Sequence, residues 1–134
     1  MKGLGLHIAL IFLVLATTGR VSAQLVNPDS LYAVARERAH IQQYNLAISN
    51  LRVLLANYPE RYDAHLLLCA IYSWDHKFDQ ARTAYQAILD RFPTVEVYRG
   101  AGRVEMWDAA WADALSLLNQ GLINYPKDTV LNLL

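Results

Sequence analysis

The sequence predicts an all-α solenoid, a row of helix-turn-helix units about 34 residues long. Three observations carry this. Aromatic-proline pairs stand at Tyr58-Pro59, Phe92-Pro93 and Tyr125-Pro126, their prolines 34 and 33 residues apart. Ala47, Ala81 and Ala114 keep the same step, each three positions after an aromatic residue, Tyr44, Phe78 and Trp111. A Trp-Asp pair recurs at Trp74-Asp75 and Trp107-Asp108, 33 apart. A fixed period of this size marks stacked units, each burying its apolar face only against its neighbours. The single missing residue falls between Pro93 and the next helix, where a loop tolerates it.

The elements follow in order. Met1–Ala23 reads as a secretory signal peptide: Lys2 supplies the positive start and Ile8–Ala16 a nine-residue apolar run. Val21-Ser22-Ala23 supplies the small residues a signal peptidase requires, which makes Gln24 the new N-terminus. A membrane span needs about 20 apolar residues, more than this run supplies. Asn27-Pro28 then opens the first helix, Asn as cap and Pro in the first turn. Leu31, Val34, Ala35 and Arg38 share one face at helical spacing. A turn near Ile41-Gln42-Gln43 leads to a second helix striped by Ala47, Leu51, Leu54 and Leu55, which Pro59 stops. The second unit repeats the pattern with His65, Leu68, Cys69 and Tyr72 inward, then Phe78, Ala81, Tyr85, Ile88 and Leu89. The third has Tyr98, Ala101, Gly102 and Glu105, then Trp111, Ala114, Leu118 and Gly121. Small residues at matching positions (Ala35, Cys69, Gly102) let helices approach closely. Asp75 and Asp108 are expected to cap the second helices of their units. After Tyr125-Pro126-Lys127-Asp128 a new helix is expected from Thr129, the start of a fourth unit cut short at Leu134. The units therefore span about 28–61, 62–94 and 95–128, with a partial unit at 129–134, inside a domain of residues 24–134.

This pattern resembles the tetratricopeptide repeat, most closely in RYDAHLLLCAIYSWDHKFDQARTAYQAILDRFP. The resemblance implies a right-handed solenoid and a protein-binding scaffold with no catalytic machinery. The sequence departs from the family where Gln42, His76 and Ala109 replace the usual turn glycine. Arg38 and Glu105 replace a usual aromatic, and Gly121 a usual alanine. The export signal and the stretch AIYSWDHKFDQARTAYQAILDRFP also resemble the N-terminal region of YaiO-type outer-membrane proteins, which continue into a β-barrel. Similar repeats occur in periplasmic scaffolds of exopolysaccharide export. That resemblance implies residence on the periplasmic side of the outer membrane.

Composition removes several functions. Twelve basic and twelve acidic residues balance, so there is no basic face for nucleic acid. Removing Lys2 and Arg20 with the signal leaves ten basic against twelve acidic residues. The lone Cys69 excludes a disulfide framework and sits where a small packing residue belongs. Asp75, His76 and Asp79 offer too few ligands for calcium and no second histidine for zinc. No serine has a nucleophile-elbow context, and Gly100-Ala101-Gly102 lies within a helix and not in a phosphate loop. Neither enzyme activity nor a cofactor is expected.

The remaining signal is a stripe on the first helix of each unit, on the side lining the inner groove. It comprises Tyr32, Arg36 and His40; Asp63, Leu66, Ser73 and Trp74; and Glu96, Arg99, Arg103, Met106 and Trp107. For Trp74 and Trp107 two readings stand side by side: packing on the next unit, or facing the groove as platforms. Aromatic platforms flanked by arginine and carboxylate suit a peptide or protein segment, with a polysaccharide as the second class. The expected role is an exported interaction scaffold forming the N-terminal part of an outer-membrane protein. The alternatives are a free-standing periplasmic adapter, or the substrate module of a larger envelope polysaccharide enzyme or exporter. An uncapped last unit further predicts self-association through that end.

Overall fold

The computed structural model describes Asn27–Leu133, and the signal segment, residues 1–23, lies outside the described residues. Six helices follow one another: α1 Pro28–His40, α2 Tyr44–Asn57, α3 Tyr62–Trp74, α4 Phe78–Leu89, α5 Val95–Trp107 and α6 Trp111–Asn124. They pair as α1α2, α3α4 and α5α6, and each pair stacks on the next.

Asn27 caps α1, its Oδ1 accepting from the N–H of Asp29 at 2.9 Å, and Pro28 occupies the first turn, where its missing N–H costs nothing. The first helix of each unit ends in the same way. Gln42, His76 and Ala109 adopt positive φ of 61°, 54° and 59°. The following N–H then reaches back to the carbonyl of Arg38 (2.8 Å), Tyr72 (2.9 Å) or Glu105 (2.8 Å). This is the Schellman closure, whose left-handed position normally takes glycine. The closure moves the expected caps. Asp75 and Asp108 end α3 and α5, while Lys77 and Ala110 precede α4 and α6 without a side-chain cap. The two carboxylates sit two residues too early to cap and are ion-paired instead, Asp75 with Lys77 at 2.6 Å and Asp108 with Arg82.

In the second and third units the aromatic residue before the proline closes its own unit. The Phe92 ring lies 5.2 Å from Tyr62, and the Tyr125 ring 6.5 Å from Tyr98. The Tyr125 hydroxyl also donates to the Pro93 carbonyl at 2.7 Å. Each contact sets an aromatic at the end of α4 or α6 against the start of α3 or α5. Ala35, Ala47, Ala81, Leu51, Ile71, Val97 and Val104 are fully buried. Gly102 has no room for a side chain, because a Cβ would stand 2.6 Å from Leu118 Cδ2. Gly121 is needed for the same reason, a Cβ there meeting Tyr98 Cβ at 2.9 Å.

Several expected core positions differ. Val34 is exposed, because no helix precedes α1 among the described residues to cover that face. On this face Ser30 and Glu37 replace Ala64 and Ile71 of the second unit and Val97 and Val104 of the third, so α1 presents a polar end. Trp111 is 64% exposed, whereas its counterparts Tyr44 and Phe78 are half-buried against the core. Leu117, beside the expected Leu118, packs against the larger core. His65 is half-buried, its Nε2 2.7 Å from the Pro59 carbonyl. Residues 129–133 form turns, not a helix, since so few residues fix too few hydrogen bonds to nucleate one. Leu131 is nonetheless buried against Tyr98 and Leu118.

Candidate binding groove

First helices of neighbouring units touch (α1 with α3, α3 with α5), while α2, α4 and α6 do not touch one another. The stack therefore curves with α1, α3 and α5 on its inner side. The repeat period puts His40, Trp74 and Trp107 at equivalent places at the ends of these helices, and Arg36, Ala70 and Arg103 one turn earlier.

Trp74 is 46% exposed and Trp107 53% exposed, so neither indole is consumed by packing. Arg36, His40 and Trp74 come together with Ala39, Gln42, Tyr44 and Leu67 around an open cavity of about 280 Å³. Ala39, Gln42, Tyr44 and Leu67 were not expected there. Leu67 lies one turn before Ile71 and two turns before Trp74 on α3.

At the opposite rim of the groove, at the starts of the first helices, the arginines are tied up by carboxylates. Arg61 donates from Nε and Nη2 to the two oxygens of Asp63 at 2.9 and 2.7 Å and from Nη1 to Asp29 at 2.8 Å. Its guanidinium lies 5.6 Å from the centre of the Tyr32 ring. These hydrogen bonds hold the Asp63 carboxyl below the usual carboxylate range, and burial, with the charge of Asp63, pushes the Tyr32 phenol up. Arg99 is half-buried and donates to Asp128 at 3.2 Å. The Asp128 carboxyl is lowered first by the N–H of Leu131, at 2.8 Å, and then by Arg99. Leu66 is half-buried and Glu96 exposed at its end of α5.

Two stripe positions are not groove surface. Ser73 is buried and its hydroxyl donates to the Cys69 carbonyl at 2.8 Å, because at that point α3 turns its side toward the core. Met106 faces α6, lining a cavity with Trp111, Leu118 and Leu131. Cys69 lies beneath Ser73, and burial pushes its thiol up to about 12, so it stays protonated and unreactive.

A second feature escaped sequence reading. Arg82 on α4 donates from Nε to both oxygens of Glu105, at 3.0 and 2.8 Å, and also pairs with Asp79 at 3.0 Å and with Asp108. The guanidinium thereby satisfies the buried carboxylate that stands where Tyr72 stands in the preceding unit. There the Tyr72 hydroxyl accepts from Arg52 on α2 of the first unit at 3.1 Å. The shared device is an arginine from one unit's second helix reaching a polar group on the next unit's first helix. Spacings of 20 and 23 residues are too irregular to reveal it in the sequence. Among the described residues no group of three His, Cys, Asp or Glu side chains could hold a metal ion, and no helix is long and apolar enough to cross a membrane.

The architecture is that of a tetratricopeptide-repeat solenoid. A family model described as tetratricopeptide repeat matches residues 42–104, from the first turn through most of α5. Among solved structures, MamA from Desulfovibrio magneticus RS-1 is similar with a TM-score of 0.66 and 16% identity, over 76% of this chain and 58% of that one. The ArsTM double mutant of the RS-1 MamA is similar with a TM-score of 0.68 at 16% identity, over 78% of this chain and 60% of that one. The chain thus spans less than two thirds of these structures, and the likeness is one of fold. No curated protein matches it by sequence.

Proposed function

We propose that the chain is a non-catalytic interaction scaffold whose inner groove receives a polypeptide segment. The observation that carries this is the pair of half-exposed indoles, Trp74 and Trp107, one repeat apart on the inner face with an open cavity beside the first. Aromatic side chains left half-dry and half-wet are suited to partner contact. Selection of binders from a random dodecapeptide library tests it. Enriched peptides that lose binding to Trp74→Ala/Trp107→Ala are expected. Enrichment of none, or equal binding by the double variant, overturns the groove reading.

The finer setting belongs to the same proposal: export to the periplasm after cleavage at Ala23, and service as the N-terminal part of a YaiO-like outer-membrane protein. The signal pattern and the Tyr72-Ser73-Trp74-Asp75 turn support it. Mass spectrometry of the exported protein is expected to find Gln24 at its start, and retention of residues 1–23 refutes the cleavage. The exposed Trp111 and Leu115 at the end of the stack further support association there with another helix face. The polar end at Ser30 and Glu37 makes a head-to-tail array of copies unfavourable.

A further inference from the structure

Resting on the groove reading, we infer that the partner segment is acidic, with two carboxylate side chains about six positions apart and apolar side chains between them. The inference comes from which charges on the inner face are already spent. Asp29 and Asp63 are held by Arg61, Asp128 by Arg99, Asp75 by Lys77, and Asp108 by Arg82. Arg36 and Arg103 are both exposed and have no ion-pair partner among the described residues. Neither has a carboxylate three or four positions away on its own helix, where one would reach it. The facing stretch of α3 from Leu66 to Trp74 carries no charge. Glu96, the exposed carboxylate of the inner stripe, stands about two turns from Arg103 at the start of α5.

The result is a rim with a guanidinium at each end and an apolar middle formed by Leu67, Ala70 and the Trp74 indole, with the Trp107 indole one turn beyond Arg103 on α5. A guanidinium takes a carboxylate bidentately, and an indole beside it accepts an apolar side chain. The spacing follows from packing. Neighbouring helices stand about 8–10 Å apart, so Arg36 on α1 and Arg103 on α5 are about 16–20 Å apart, which an extended chain covers in about five or six residues. At six positions both carboxylates and the alternate side chains between them point to the same side of an extended chain.

The test uses the whole chain and calorimetry with acetyl-Glu-Ser-Leu-Ser-Leu-Ser-Glu-amide. Three comparison probes accompany it: an isomer with the two Glu adjacent, the counterpart with Lys for Glu, and an alginate hexasaccharide. The spaced Glu peptide is expected to bind about fivefold tighter than the isomer and the Lys peptide, the scale of one exposed ion pair. Arg36→Gln and Arg103→Gln are each expected to remove that advantage while leaving the thermal melt unchanged, since neither side chain is buried or paired. Equal binding of the isomer, preference for the Lys peptide, indifference to both Arg variants, or binding of alginate in place of the peptide overturns the inference. So does failure of all these probes. If library peptides still require Trp74 and Trp107 in that case, the groove reading stands and only the charge inference falls.

Discussion

The sharpest energetic test of the fold is removal of Arg82. Glu105 is 6% exposed and Arg82 holds both of its oxygens, while the Arg82 side chain is itself 32% exposed. Truncation to Ala leaves a carboxylate in the interface between α4, α5 and α6 with no cation. An unsatisfied buried polar group costs about 1–3 kcal/mol, and breaking a fully buried ion pair about 3–5 kcal/mol. Partial exposure of the guanidinium places this case lower, near 2 kcal/mol. In a domain of this size that lowers Tm by roughly 10 °C. The cost lies in stranding Glu105, not in losing an attraction, so Arg82→Ala/Glu105→Leu should recover most of it. The cavity there, about 610 Å³ and lined in part by Tyr85, Leu89, Ala101 and Leu117, has room for an apolar side chain. Asp79→Asn removes the most exposed partner and should cost under about 0.5 kcal/mol. Thermal and urea unfolding followed by circular dichroism measure all three variants. An Arg82→Ala cost no larger than that of Asp79→Asn, or a double variant no more stable than the single, refutes the argument.

Three further outcomes follow from the packing. Ala109→Gly should stabilise by about 0.5–1 kcal/mol, read as a rise in Tm, because a left-handed residue with a Cβ is strained and glycine is not. Gly100→Ala should destabilise by about 1–3 kcal/mol: its Cβ would stand 2.3 Å from the Tyr85 hydroxyl and 2.5 Å from the ring, and an unchanged melt would show that this buried ring can move aside. Asp63 and Asp128 titrate below the usual range in the fold. Their stabilisation is complete above about pH 4 and is lost as the pH falls through their lowered values. Asp63→Asn should therefore flatten the acid limb of a stability–pH profile, and an unaltered limb contradicts the pairing.

The period, the start of α1 and the turn positions were legible in the sequence because they are local. Asn27-Pro28 caps and opens a helix wherever it stands, a proline ends one, and Ala47, Ala81 and Ala114 mark the close approach within each unit. Even the missing glycines were visible, as Gln42, His76 and Ala109, and the backbone takes the strained conformation there regardless. Neighbouring turns can change the role of a residue without changing its place, which is why Asp75 and Asp108 end helices and do not begin them. The inner stripe was legible as a helical face, but its use was not. Helical spacing puts Ser73 and Trp74 one residue apart, and only the crossing of α3 over its neighbours buries the first and leaves the second open. Tertiary structure likewise decided which charges remain. Arg61 reaches Asp29 and Arg99 reaches Asp128, partners 32 and 29 residues away in the chain. Sequence fixes which side chains can reach a neighbour on the same helix. Which of them are left for a ligand depends on partners brought close only by stacking.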